Sequence, residues 1–412
     1  MKENNVTRRN FVKALGVVGV GSVMSAGSAL AQPNTTAPAA PATPATPVKP
    51  ENVPTRTFGR TGVKVSMLSL GGIFDTMSNQ LVLKQAMDWG VTYWDTAASY
   101  SNGNSEKGMG AFLEKNPSAR KDMFIVTKSH GGGLEGLTAA LNTSLERLKT
   151  DYVDMYFMHG LDNTSELNDA AKAWAEKAKA DKKIRFFGFS THSNMESCLQ
   201  GAAKLGWIDG IMLKYDFRLM QTDAMKAAVE AASKAGSGLT AMKTQSRSPV
   251  STENEAELKM GGHFIQRGFT QQQAKLKALW ENPAIASICS QMGSLTVLQS
   301  NIAAALDKTK LTAADHAVMR QYAADTCSGF CAGCTQLCEN APGHQVPIGD
   351  VMRALMYHRN YGDHELARTV FHQLPEAARR GLTRFNYAAA EQACPNGLPI
   401  AKWMREAGEL FA

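Results

Sequence analysis

Four side chains near the ends of consecutive apolar runs are of types that can do chemistry together. The run near Val91 ends in Asp95, with Tyr100 five residues later. The run from Met123 ends in Lys128, and the run from Val153 ends in His159. A carboxylate at Asp95 would pair with the Lys128 ammonium and hold its charge. A cation beside a phenol favours phenolate, so Lys128 is expected to lower the Tyr100 pKa from its usual ~10. A phenol poised this way can give a proton to a carbonyl oxygen as a hydride reaches the carbon. His159 could orient and polarise the same oxygen. Each residue alone reads more readily as a solvated rim or pairing group. Their joint occurrence on three consecutive runs is what points to a site. Later runs add Ser190-Thr191-His192, then Lys214-Tyr215, then Lys243.

A second constellation is made of sulfur. Five of the seven cysteines lie after residue 326, and Cys327, Cys331, Cys334 and Cys338 form one tight run spaced by three, two and three residues. Four thiolates so spaced can wrap a cubic iron–sulfur cluster, and the later Cys394-Pro395 in a Gly-containing turn is the usual close of a bacterial ferredoxin motif. A tetrahedral zinc site and disulfides formed after export are the rival readings. Zinc sites tend to use two separated pairs of cysteines, whereas here one run stands alone.

These residues need a scaffold. Apolar runs begin near Val65, Val91, Met123, Val153, Ile184, Asp209, Gly238 and Ile285, with helical stretches such as Leu134–Lys149, Asn168–Lys182 and Thr222–Ala235 between them. Phe124-Ile125-Val126 and Met155-Tyr156-Phe157 are apolar on both faces, as strands of a buried parallel sheet should be. Eight such units over about 250 residues predict an α/β fold, a (β/α)8 barrel. A doubly wound open sheet is the alternative. It would need a Gly-x-Gly-x-x-Gly turn where the sequence has Leu70-Gly71-Gly72. After Thr312 the pattern stops, and a mainly helical, Cys-rich segment of 313–412 follows.

The chain has 412 residues, 44% hydrophobic and 20% charged, which excludes a disordered, collagen-like or membrane-embedded protein. Its formal charge of +7 owes three units to the first 13 residues, and no basic block follows, which argues against nucleic acid as a partner. That basic head, Thr7-Arg8-Arg9-Asn10-Phe11-Val12-Lys13, precedes an uncharged stretch from Ala14 to Ala31 ending Ala29-Leu30-Ala31. Together they read as a twin-arginine export signal of residues 1–31, cleaved after Ala31. The rival reading is a membrane anchor, for which four glycines and three serines are poor material. Residues 32–55 hold seven of the fifteen prolines and read as an extended linker. The sequence thus predicts a periplasmic protein with no stable membrane span after signal cleavage. This route carries folded cargo, which suits a protein that takes up a prosthetic group before export.

The barrel segment, about residues 56 to 312, resembles the aldo-keto reductase superfamily. The matching text is Trp94-Asp95-Thr96-Ala97-Ala98-Ser99-Tyr100, Gly103-Asn104-Ser105-Glu106, Val126-Thr127-Lys128, Ser144 to Asp154, and His159-Gly160. The resemblance implies a barrel closed below by an N-terminal hairpin, here roughly 56–64. It implies reversible hydride transfer between a nicotinamide cofactor, NADP(H) or NAD(H), and a carbonyl, with catalytic roles for Asp95, Tyr100, Lys128 and His159. Cofactor contacts would fall on Ser190, Tyr215, Lys243 and Asn301. The family's amide-binding glutamine is replaced by Met212, which cannot hydrogen-bond an amide, and the asparagine after Tyr215 is replaced by Asp216. Thr244-Gln245-Ser246-Arg247 stands where the family has a glycine-rich stretch. No Arg or Lys lies within 291–301 to meet a 2′-phosphate.

The tail is similar to the ferredoxin-like domain that follows the barrel in one branch of that superfamily. The resemblance rests on Val346 to Tyr357, Tyr361-Gly362, Leu366-Ala367-Arg368 and Ala393-Cys394-Pro395. It implies one [4Fe–4S] cluster drawn from Cys327, Cys331, Cys334, Cys338 and Cys394, with Cys338 and Cys394 competing for the fourth position. Ala390 and Tyr387 stand where a second cluster would need cysteines. The expectation is an exported oxidoreductase acting on a small carbonyl or alcohol substrate, passing electrons through the cluster and to a redox partner protein. The alternative is an electron-transfer or partner-binding protein whose barrel has weakened or lost nicotinamide binding.

Overall fold

The structure is a computed structural model that describes residues 51–130, 132–245, 255–341 and 346–411. Residues Asn52–Ala412 form one compact unit. The export signal and most of the proline-rich linker lie outside the described residues, as do Ser246 and Arg247. Among the described residues no helix is long and apolar enough to cross a membrane.

Within Asn52–Ala412, strands β1 (Thr55–Thr57) and β2 (Lys64–Ser66) pair as an antiparallel hairpin. Eight parallel strands then close a barrel: β3 (Leu68–Gly71), β4 (Tyr93–Asp95), β5 (Phe124–Ser129), β6 (Val153–Met158), β7 (Ile184–Thr191), β8 (Gly210–Lys214), β9 (Gly238–Met242) and β10 (Ile285–Gln291). β10 returns to pair with β3, so the barrel itself has no open edge. The expected (β/α)8 barrel and its bottom hairpin are both present. Strand starts fall within about three residues of the apolar runs read from the sequence.

Side chains alternate between the inside of the barrel and the helix layer. Tyr93, Phe124, Val126, Met155, Phe157, Met212 and Met242 fill the interior with Phe58 from the hairpin. The Phe58 ring enters from below, 6.3 Å from the Tyr93 ring and 5.4 Å from that of Phe124. Gly210 and Gly238 make room for it: a Cβ at Gly238 would stand 2.4 Å from the ring. With the floor filled, the polar residues one step above each inward apolar residue are pushed to the upper mouth.

The helices after the barrel divide between two cores. Helix Ala313–Asp325 adds Met319 and Tyr322 to the layer outside the barrel. A separate core gathers Val351, Leu355, Phe371, Trp403 and Met404 from the helices Ile348–Met356, His364–His372 and Ile400–Phe411. Among the described residues the elements of this segment are all helical, in keeping with the mainly helical segment read from its period. Phe58→Ala should lower stability by about 3–5 kcal/mol, because it opens a cavity that the rigid floor cannot close; urea unfolding followed by far-UV circular dichroism measures this.

Candidate active site at the barrel mouth

The alternation that fills the interior also aims the functional side chains. Asp95 lies two residues beyond Tyr93, Lys128 two beyond Val126, and His159 two beyond Phe157, so all three continue inward-facing rows to the mouth. Lys128 is 1% exposed and Asp95 2%. The Lys128 ammonium donates to Asp95 Oδ1 at 2.7 Å, Asp95 Oδ2 at 2.8 Å and the Thr96 carbonyl at 2.7 Å. Its three donors are therefore spent. Cys289 Sγ adds a weak donor 3.7 Å from Asp95 Oδ2.

Tyr100 rides on a loop whose shape is set by the Gly103–Glu106 motif. Ser101, Asn102 and Gly103 take left-handed backbone angles, and a Cβ on Gly103 would meet the Arg147 guanidinium at 2.5 Å. Arg147 donates to the Ala98 carbonyl at 3.0 Å and to buried Glu106 at 3.2 Å, while Thr127 donates to Glu106 at 2.6 Å. The loop is thus tied to the strand that carries Lys128. The Tyr100 ring centroid lies 4.8 Å from Lys128 Nζ and 5.8 Å from the His159 ring, in edge-on contact. His159 stacks on His130 at 4.2 Å, and its buried Nδ1 has no hydrogen-bond partner among the described residues.

The electrostatics correct one expectation. The Tyr100 pKa is raised well above the ordinary phenol value, first by burial and then by the charge of Asp95. Lys128 does not make a phenolate, because Asp95 takes up its charge and its donors. The Asp95 pKa is itself raised by burial, against which Lys128 pulls it down. The His159 pKa is lowered well below the ordinary imidazole value by burial and then by Lys128. The mouth therefore carries a neutral phenol and a neutral imidazole over a paired ammonium.

The residues expected at a cofactor are placed less uniformly. Ser190 is fully buried and accepts from the Gly160 amide at 3.0 Å. Asn301 donates to Ser290 at 2.9 Å and accepts from Gln245 at 3.0 Å. Tyr215 is a correction: it follows inward-facing Lys214, so its ring turns into the helix layer, where Asn282 donates to its hydroxyl at 3.1 Å. Asp216 caps the next turn through the amides of Arg218 and Leu219. Lys243, in a left-handed conformation, reaches into the C-terminal helices. It donates to the Tyr357 hydroxyl at 3.2 Å and lies 4.7 Å from the Tyr361 ring centroid. Burial works against the charge of Lys243, but Tyr357 and Tyr361 offset it and its pKa is raised.

Cys331, Cys334, Cys338 and Cys394 line one cavity of about 390 Å³, counting its open side. Cys327 is exposed and is not on that cavity, because it sits in the turn that ends helix Ala313–Asp325. Cys338 and Cys394 therefore stand together on the cavity, and Cys327 drops out. Among the described residues no three His, Cys, Asp or Glu side chains close around a single metal ion. The cysteine loop is docked on the barrel: the Asn194 backbone N–H donates to the Gly333 carbonyl at 2.7 Å, and the Asn194 side-chain carbonyl accepts from the Thr335 hydroxyl at 3.1 Å. Cys198 is buried in the barrel's outer core.

Residues 68–312 match the Aldo/keto reductase family. An Escherichia coli protein named L-glyceraldehyde 3-phosphate reductase is 29% identical over 157 residues, covering 34% of this chain and 45% of that one. The chain spans about half the length of the curated relatives it matches. An aldo-keto reductase from Bacillus halodurans superposes with a TM-score of 0.54 at 20% identity, covering 66% of this chain and 96% of that one. An aldo-keto reductase from Klebsiella pneumoniae solved in complex with NADPH gives 0.53 at 22% identity, covering 65% and 95%.

Lys128→Met should strand a buried carboxylate and cost about 3–5 kcal/mol of stability, whereas Lys128→Met with Asp95→Asn should cost less than the single change; thermal unfolding of both variants measures the difference. With its motif order, its eight-stranded barrel and its matched segment, the chain belongs to the aldo/keto reductase family.

Proposed function

We propose that the protein is an oxidoreductase that reduces a small carbonyl compound, or oxidises the corresponding alcohol, at Asp95, Tyr100, Lys128 and His159. The observation that carries this reading is the Lys128 ammonium, fixed by Asp95 beneath the Tyr100 ring with His159 beside it. In the reducing direction the Tyr100 hydroxyl gives its proton to the carbonyl oxygen. The His159 imidazole, neutral and with an unpartnered buried nitrogen, orients that oxygen. Lys128 stabilises the negative charge left on Tyr100, and Asp95 keeps the ammonium in place. A nicotinamide cofactor, when bound, supplies the hydride that reaches the carbonyl carbon. The structure of a relative in complex with NADPH supports this choice of cofactor. Ser190 and Asn301 are the residues of this chain that would contact it.

The second cofactor in this reading is a [4Fe–4S] cluster, which supplies one-electron transfer when bound. The four-thiol donor set of Cys331, Cys334, Cys338 and Cys394 around one cavity fits it. Folding around such a cluster before export accords with the twin-arginine signal read in residues 1–31, and a periplasmic redox partner protein belongs to the same proposal.

One observation favours a second reading, in which nicotinamide binding is weakened and the chain serves mainly in electron transfer. Lys243, expected at the nicotinamide cofactor, is held by Tyr357 and Tyr361 of the chain's own C-terminal helices. Fluorescence titration with NADPH separates the two readings: saturable binding supports the first, and none supports the second.

Tyr100→Phe should cut carbonyl turnover by about 10²–10⁴-fold while leaving the far-UV spectrum unchanged; unchanged turnover would remove the role given to Tyr100. Because the Tyr100 pKa is raised and the His159 pKa lowered, both groups stay neutral between about pH 6.5 and 10. A kcat/KM profile for carbonyl reduction should show no inflection from either group in that window. Cys394→Ser should lower the iron content of anaerobically purified protein, whereas Cys327→Ser should not.

A further inference from the structure

A cavity of about 770 Å³, counting its open side, lies between the ends of β7–β9 and the C-terminal helices. The barrel contributes His192, Lys214 and Lys243 to its wall; helix Ile348–Met356 contributes Asp350 and Arg353. Among the described residues the charges on this wall do not balance. Lys214 donates to the Cys331 carbonyl and lies 4.7 Å from the Phe330 ring centroid, and Lys243 donates to the Tyr357 hydroxyl. Neither ammonium has a carboxylate among these contacts, although Lys214 is only 9% exposed. Arg359, further along the wall, is bonded to Glu406. Among the described residues that leaves Asp350 as the acid on the wall, and it meets Arg353 at 3.0 Å with its own side chain 41% exposed.

Buried cations without counter-charge are costly, and an anionic ligand is what offsets the cost. A guanidinium fork also matches a carboxylate or phosphate in a way that an ammonium does not. Lys214 ends β8 and Lys243 follows β9, so the wall stands at the same end of the parallel barrel as Asp95 at the end of β4 and Lys128 near the end of β5. We propose that Arg353, with His192, Lys214 and Lys243, forms an anion subsite, and that the substrate is a small carbonyl or alcohol compound carrying a carboxylate or a phosphate. The subsite stands on the cavity and its charges; only the carbonyl half of the substrate rests on the oxidoreductase reading above. The helix from the C-terminal segment would then complete the substrate site, since among the described residues lining this wall the guanidinium groups, Arg353 and Arg359, come from that segment.

Isothermal titration of the full-length, cluster-loaded protein with succinate and with inorganic phosphate tests the subsite without requiring turnover. One of the two anions should bind, with affinity at least tenfold weaker in Arg353→Gln and tighter in Asp350→Asn, where the competing carboxylate is gone. Which anion binds identifies the source of the charge. Binding should persist with saturating NADPH. Failure of both anions to bind, equal affinity in Arg353→Gln, or displacement by NADPH would overturn the proposal; displacement would assign the cations to the dinucleotide phosphates instead. Loss of all Tyr100-dependent carbonyl turnover would overturn the oxidoreductase reading while leaving the binding result intact. Where both stand, Arg353→Gln should raise KM for succinic semialdehyde or glyceraldehyde 3-phosphate at least tenfold more than it raises KM for neutral glyceraldehyde.

Discussion

The ion pair between Asp95 and Lys128 is the interaction on which the site depends. Both groups are almost wholly removed from water, so neither could stay charged at modest cost without the other. Their pairing fixes where a positive charge stands in the mouth and leaves the ammonium no donor to spare. The phenol above it therefore remains a phenol. That protonation state is the useful one for a group that must give a proton, and the nearby ammonium becomes valuable only when that proton has left. The scaffold serves this arrangement from below and from the side. Phe58 and the inward apolar rows close the floor, while Arg147 and Glu106 hold the Tyr100 loop to the strand that carries Lys128.

The C-terminal helices make the mouth different from that of a bare barrel. They bring Arg353, Tyr357 and Tyr361 over the strand ends where Lys214 and Lys243 emerge, and they place the four-cysteine cavity beside the same wall, with Cys331 lining both cavities. The barrel's side contributes carboxylate, imidazole, ammonium and the Tyr100 phenol; the C-terminal segment contributes guanidinium, two further phenols and sulfur.

The barrel and its mouth were largely legible in the sequence because both follow local rules. Strands apolar on both faces, ending in polar residues, predict a buried parallel sheet with a chemical rim. The motif around Asp95 and Tyr100 puts both residues just at or after the end of β4. The same period-two alternation also foretells that Tyr215, one step past inward-facing Lys214, points away from the mouth; the family pattern alone suggested otherwise. The phenolate expectation failed because residue types do not reveal how an ammonium divides its hydrogen bonds. Cys327 fits the spacing of the cysteine run, but a turn between it and Cys331 carries it to the surface. Arg353, Tyr357 and Tyr361 lie more than 100 residues beyond the strands they meet, and no periodicity or spacing links such distant positions. Their helical register was readable, whereas the surface they would cover was not.

The claim that most of this account shares is that Tyr100 is a neutral phenol held over a fully paired ammonium. An ultraviolet difference titration near 295 nm, comparing the native chain with Tyr100→Phe, measures that protonation state directly. The account predicts superimposable titrations up to about pH 10, the ordinary phenol range. One tyrosine's worth of phenolate appearing in the native chain alone below pH 9 would contradict it.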